Sequence, residues 1–282
     1  IQKTAIALAA SGLFATAAFA QTAPAAAPEA PEASPLTANV TVVSDYRYRG
    51  ISQSNFKPAI QGGFDYAHES GFYIGNWNSS ISWISDAAPA TANTRVTAPI
   101  EMDFYGGIKK EFIGEGFASD FGVLQYYYPT SGLNVSGTQA NPNTTELYAA
   151  QNFTFGAVTG FVKFSYSVSP IFGFANSTGS YYPDLTVNYD TGVWGLALNA
   201  HVGYQYVAGN VQGSTTGASN SSLYSYTDWK LGVTKDFGGG LSLSAAYIGT
   251  DAGKTGSVYN YTSPTGKNLG GSTGIVALTK TF

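Results

Sequence analysis

The chain has no cysteine, two histidines, one methionine, and charged side chains at only 11% of its 282 positions. Without cysteine there is neither a disulfide framework nor a thiolate metal site. Two histidines, His68 and His201, leave little for a zinc centre. Soluble domains carry roughly 25% charged residues, so the charge content is low for that class. Beyond the N-terminal segment there is no apolar run of about 18 residues, which excludes spanning helices. No dinucleotide motif, phosphate loop or calcium loop is present. Acidic residues outnumber basic ones, 17 to 13, which argues against nucleic acid as a partner.

What is there is glycine, 34 residues, with 20 tyrosines and 17 phenylalanines, set in short alternating segments. Residues 1–20 have the pattern of a signal peptide: Lys3, an apolar stretch from Ile6 to Phe14, and the small-x-small site Ala18-Phe19-Ala20. Residues 21–36 are rich in Ala and Pro, as expected of an extended periplasmic linker. Residues 37–282 then alternate apolar and polar side chains with period two. The alternation predicts twelve strands, over 40–49, 57–67, 72–84, 100–112, 117–128, 145–155, 158–168, 181–189, 193–206, 228–237, 241–250 and 272–282. About ten residues is the length a tilted strand needs to cross a bilayer.

Connections after even strands are short and glycine-rich; most of those after odd strands are long. That alternation is the signature of a transmembrane up-and-down antiparallel β-barrel with short periplasmic turns and longer extracellular loops. In hydrocarbon every backbone N–H and C=O must be paired internally, and a closed barrel does this. The expected place is the outer membrane of a Gram-negative bacterium, reached through the periplasm.

By the period-two rule the lumen face carries paired charges. Strand one supplies Asp45, Arg47 and Arg49, and strand two Lys57 and Asp65. Strand four supplies Glu101, Asp103, Lys109 and Glu111, and later strands Lys163, Asp228 and Lys230. These are the candidate pore-lining residues, which would select solutes by charge and size. The same residues also suit a structural network in a filled lumen. Aromatics near strand ends are expected at the membrane interfaces: Tyr46 and Tyr48, Trp77 and Trp83, and Tyr204, Trp229 and Phe237.

The run Ser44-Asp45-Tyr46-Arg47-Tyr48-Arg49-Gly50-Ile51-Ser52-Gln53 resembles the opening of the proteobacterial TorF porin family. Pro58-Ala59-Ile60-Gln61-Gly62-Gly63-Phe64-Asp65-Tyr66 follows with similar spacing, and Glu101-Met102-Asp103-Phe104-Tyr105-Gly106-Gly107 and Thr145-Glu146-Leu147-Tyr148 also resemble the family. The resemblance implies an outer-membrane barrel with pore function and carries over no functional residues. The final strand, ending in Phe282, resembles the signal read by the barrel-assembly machinery.

The function expected is passive diffusion of ions and small polar solutes, with outer-membrane lipids around the barrel and no cofactor or metal. Nothing in the sequence fixes an oligomeric state. Two alternatives stand beside it. One is a plugged structural or adhesive barrel. The other is an outer-membrane lipid hydrolase, suggested by His68-Glu69-Ser70, where a histidine could take a serine proton if a third group oriented it. Its place at a short turn argues against it, and no enzyme activity is expected.

Overall fold

The computed structural model describes residues 34–87, 96–133, 141–211, 213–214 and 217–282. The expected signal peptide and most of the expected linker, at residues 1–33, lie outside the described residues. Twelve antiparallel strands close into one barrel. They are β1 (Leu36–Val43), β2 (Ala59–Ala67), β3 (Phe72–Ser80), β4 (Ile100–Gly114), β5 (Phe117–Tyr127) and β6 (Thr144–Phe155), followed by β7 (Val158–Ser167), β8 (Tyr181–Asp190), β9 (Leu196–Gln205), β10 (Tyr226–Asp236), β11 (Leu241–Thr250) and β12 (Thr273–Thr281). Each strand pairs with its neighbours in sequence, and β1 closes on β12 with Thr41 opposite Thr279. Closure leaves no free edge, so every strand finds hydrogen-bond partners on both sides. Among the described residues no helix is long and apolar enough to cross a membrane.

Alternation does what the sequence implies. Val42, Ile60, Ile74, Phe104, Leu147, Val162, Leu231 and Val276 stand exposed on the outside. Gln61, Asp65, Glu101, Asp103, Lys163, Ser165, Asp228 and Ser244 are buried on the inside. An exterior this apolar over the full circumference has hydrocarbon as its natural solvent. The abundance of Gly and Tyr is partly one feature. A Cβ on Gly203 would lie 2.1 Å from the Tyr182 hydroxyl, and one on Gly122 would lie 2.4 Å from that of Tyr148. Inner tyrosines lie flat along the wall over a neighbour's glycine, so large rings fit a narrow lumen.

Eleven of the twelve strands lie within a few residues of their expected positions. The exception is the first. Residues 40–49 are not one strand: β1 spans Leu36–Val43, taking Leu36 from the expected linker, and the chain leaves the wall at Ser44. The Ser44 N–H donates to the Val276 carbonyl at 2.9 Å, and the Val276 N–H to Ser44 Oγ at 3.0 Å. These bonds end the ladder and turn the chain inward. The third expected strand is also too long. It stops at Ser80, and Trp83–Ala87 forms one helical turn in the following loop.

Candidate functional site: a hairpin across the lumen

Residues 44–58 fold back into the barrel. Arg47 pairs with Ser52 and Tyr48 with Ile51, leaving Arg49 and Gly50 as a two-residue turn. Their φ angles are 45° and 77°. Two successive positive φ values are those of a type I′ turn, the connection whose twist matches a tight hairpin. Glycine takes this readily; arginine does not, so Arg49 is held there by its contacts.

The base of the hairpin is a compact polar knot. Arg47 Nε donates to Asp45 Oδ2 at 2.6 Å, and Ser52 Oγ donates to Asp45 Oδ1 at 2.6 Å. Arg47 Nη1 reaches three carbonyls, of Gly50 at 3.0 Å, Leu269 at 2.7 Å and Gly271 at 3.1 Å. Arg47 is fully buried. A buried charge is tolerated only when paired and hydrogen-bonded; Nε and Nη1 meet both conditions, while Nη2 has no partner among the described residues.

The tip reaches the opposite wall. Arg49 Nη2 donates to both carboxylate oxygens of Glu146 on β6, at 3.0 and 2.7 Å. Its Nη1 donates to Gln205 Oε1 on β9 at 2.5 Å. The guanidinium lies 4.1 Å from the ring centroid of Tyr182 on β8 and 4.9 Å from that of Tyr48. Between base and tip, the Tyr46 hydroxyl donates to Glu101 on β4, whose other oxygen accepts from Tyr128 at 2.6 Å. The Tyr48 and Tyr126 hydroxyls are 2.5 Å apart. A hairpin that leaves the wall between β1 and β2 thus touches β4, β5, β6, β8 and β9: it spans the lumen.

The surroundings tune these groups. Burial, reinforced by the Glu101 and Asp103 carboxylates, raises the Tyr46 and Tyr128 hydroxyls well above the ordinary tyrosine range. Burial also raises Tyr48. For Arg49, burial disfavours the charge, but Glu146 and the tyrosines outweigh it and the guanidinium stays protonated.

Further along the lumen a second polar layer lines the wall. The Tyr182 hydroxyl donates to Asp228 Oδ2 at 2.7 Å, and His201 lies between Asp228 at 2.8 Å and Asp184 at 3.0 Å. Across from it the Tyr105 hydroxyl donates to Asp65 at 2.5 Å and that of Tyr73 to Asp120 at 2.6 Å. Lys163 Nζ stands 4.2 Å from the Tyr148 ring centroid.

The candidate residues thus divide. Asp65, Glu101, Asp103, Lys163 and Asp228 are buried on the inner face, and Lys109 and Lys230 share it partly buried. Asp45, Arg47 and Arg49 are inside, but on the hairpin rather than a spanning strand. Lys57 is exposed on the hairpin's return to β2, not on β2 itself. Glu111 is exposed at the irregular end of β4, where it accepts the Gly116 N–H at 3.0 Å. Four of the expected interface aromatics are corrected. Tyr46 and Tyr48 are inside the barrel with the hairpin. Trp77 faces inward, edge-on to Tyr46 at 5.6 Å, and Trp83 packs on Tyr128 at 5.5 Å from the loop helix. Alternation reads them correctly as sharing a face, but that face meets protein, not lipid. Tyr204 and Trp229 do face outward, and Phe237 is exposed at the short-turn end.

Sequence reasoning missed Glu146, Gln205 and Tyr182 as partners of the hairpin. Glu146 was visible as the polar residue beside Leu147 on an alternating strand. His68 and Ser70 form an exposed turn, Nδ1 to Oγ at 2.7 Å, with the Ser70 N–H also donating to Nδ1 at 3.2 Å. The ring nitrogen that faces the serine is engaged by the turn itself.

A closed antiparallel barrel, apolar outside and polar within, defines the porin-type fold. By sequence the chain belongs to a family of bacterial proteins of unknown function, Gcw_chp, whose model matches residues 25–282. No curated protein matches it in sequence. Among solved structures it is similar to the KdgM porin, with 6% identity, 87% of this chain and 99% of that chain covered, and a TM-score of 0.51. A KdgM porin in complex with disordered oligogalacturonate has 7% identity, coverage of 88% and 98%, and a TM-score of 0.48. OccAB3 of Acinetobacter baumannii has 8% identity, coverage of 89% and 65%, and a TM-score of 0.42. At these identities the likeness is one of fold.

Proposed function

We propose that this chain is an outer-membrane channel for passive diffusion of ions and small polar solutes, constricted by the hairpin at 44–58. The observation that carries this reading is the contrast between an apolar exterior and a lumen whose charged residues come from many strands and from the hairpin tip. Charged linings of this kind select permeating solutes. Asp65, Glu101, Asp103, Lys109, Lys163, Asp228 and Lys230 on the wall, with Asp45, Arg47 and Arg49 on the hairpin, are the lining in this reading. Diffusion runs down a concentration gradient and needs no cofactor.

The rest of the assignment follows from it. Residues 1–20 direct export, 21–35 form a periplasmic linker, the short turns face the periplasm and the long loops face outward. Phe282, whose N–H donates to the Ala38 carbonyl at 2.8 Å while its side chain is exposed, is the assembly signal. Tyr204, Trp229 and Phe237 sit at the lipid interfaces. The resemblance of residues 44–53 and 58–66 to the TorF porin family supports the same reading.

Planar-bilayer recording of the refolded chain tests it, with folding verified by a heat-dependent gel shift. Discrete conductance steps are expected. A second reading, a plugged structural barrel, is favoured by the complete burial of Arg47 and by Glu146 being 1% exposed. Silence from the folded barrel would select it.

A further inference from the structure

The hairpin is attached to the barrel in two different ways. Its base is held through main-chain bonds. Ser44 binds Val276, the Ser52 N–H donates to the Leu269 carbonyl at 2.9 Å, and the Gln53 carbonyl accepts from Ser82 at 2.9 Å and Trp83 at 3.1 Å. Its tip is held to the facing wall by side chains: Arg49 on Glu146, Gln205 and Tyr182, and Tyr48 on Tyr126. Among the described residues no main-chain bond ties residues 48–51 to β4 through β10. On the return arm two successive non-glycine residues, Asn55 and Phe56, have φ of 52° and 60°. Such residues in the left-handed region store backbone strain and persist only where their surroundings hold them, and they concentrate at switch segments.

We propose that the hairpin is a hinged gate, with its base as the hinge, the strained Asn55-Phe56 pair as the element that relaxes on opening, and the Arg49–Glu146 ion pair as the latch. The proposal rests on the channel reading above. In the latched state the tip bridges β6, β8 and β9 and obstructs the lumen. Opening breaks the ion pair and the tyrosine contacts, and leaves the ladder of the wall intact. Incoming water then hydrates Glu146, and Arg49 turns from a latch into a fixed positive charge beside the path.

Two sets of variants test the gate in bilayer recordings of the full chain. Glu146→Gln removes the latch charge and is expected to raise the open fraction by about tenfold or more, because breaking one partner of a buried ion pair strongly destabilises it. Gly50→Cys with Thr250→Cys provides a lock. A Cβ on Gly50 would lie 2.4 Å from the Thr250 methyl, and the chain has no other cysteine. The oxidised pair is expected to hold the channel shut and reductant to restore conductance. Cysteine strains the turn at residue 50, so the Glu146→Gln arm stands independently of it. Equal conductance of oxidised and reduced pairs, with an unchanged open fraction in Glu146→Gln, would overturn the gate and leave the channel standing. Silence in every variant of a correctly folded barrel would overturn the channel reading, and the gate with it.

Discussion

The barrel wall and the hairpin at 44–58 are written in the same alternating code and end in opposite environments. On β10, Trp229, Leu231 and Val233 face outward while Asp228 and Lys230 face the lumen. On the hairpin, Tyr46 and Tyr48 alternate with Asp45, Arg47 and Arg49, yet both sets lie inside the barrel. Period two reports that a segment is extended and two-faced. Which solvent each face meets depends on whether the segment stays in the wall, and two hydrogen bonds at Ser44 decide that. The wall is held by a repetitive main-chain ladder, the tip of the hairpin by a few side chains. Damage to one should therefore look different from damage to the other.

Arg47→Ala should show the largest effect. It removes the charge that pairs with Asp45 and leaves the Gly50 and Gly271 carbonyls without their donor, costing about 3–5 kcal/mol. Urea unfolding of the refolded barrel measures this, and a loss under 1 kcal/mol, roughly that of an exposed pair, would mean the base is solvated. Leu231→Arg probes the wall instead. Arginine on the lipid face near mid-strand should cost about 2–4 kcal/mol in a bilayer. The same variant would be nearly neutral if that face were in water.

Tyr128→Phe lies at the junction of the two regions. It strips one of the two hydroxyl donors from Glu101, and a loss of about 1–3 kcal/mol is expected. The smallest effect is alkaline. The hydroxyls of Tyr46, Tyr48 and Tyr128 titrate above the ordinary tyrosine value of about 10, so they favour the folded state fully below that pH. That contribution is lost as the pH rises toward their folded values. Phenolate absorbance should show a late-titrating group in the folded barrel that merges with the rest in urea. A single titration common to both states would contradict the buried hairpin.

Most of the wall was legible because a barrel strand repeats one rule for about ten residues. The short turns were legible because glycine marks them. The hairpin was not, because its residues obey the same rule at a shorter length. Arg49-Gly50 was the available signal of a two-residue turn, but arginine is a poor marker of positive φ. The partners on the far wall were unreadable for another reason. Glu146, Tyr182 and Gln205 lie roughly 100 to 155 residues from the tip in sequence, and only closure of the barrel brings them to it. Trp77 and Trp83 show the same limit, since both pack on tyrosines inside or above the lumen.

The central claim is that the hairpin lies across the conduction path, and removing it is the direct test. A barrel in which residues 47–52 are replaced by a short glycine linker, with folding verified by gel shift, is compared with the intact chain for time-averaged conductance per channel. The account predicts a several-fold larger conductance. An unchanged conductance would place the hairpin outside the path and contradict it.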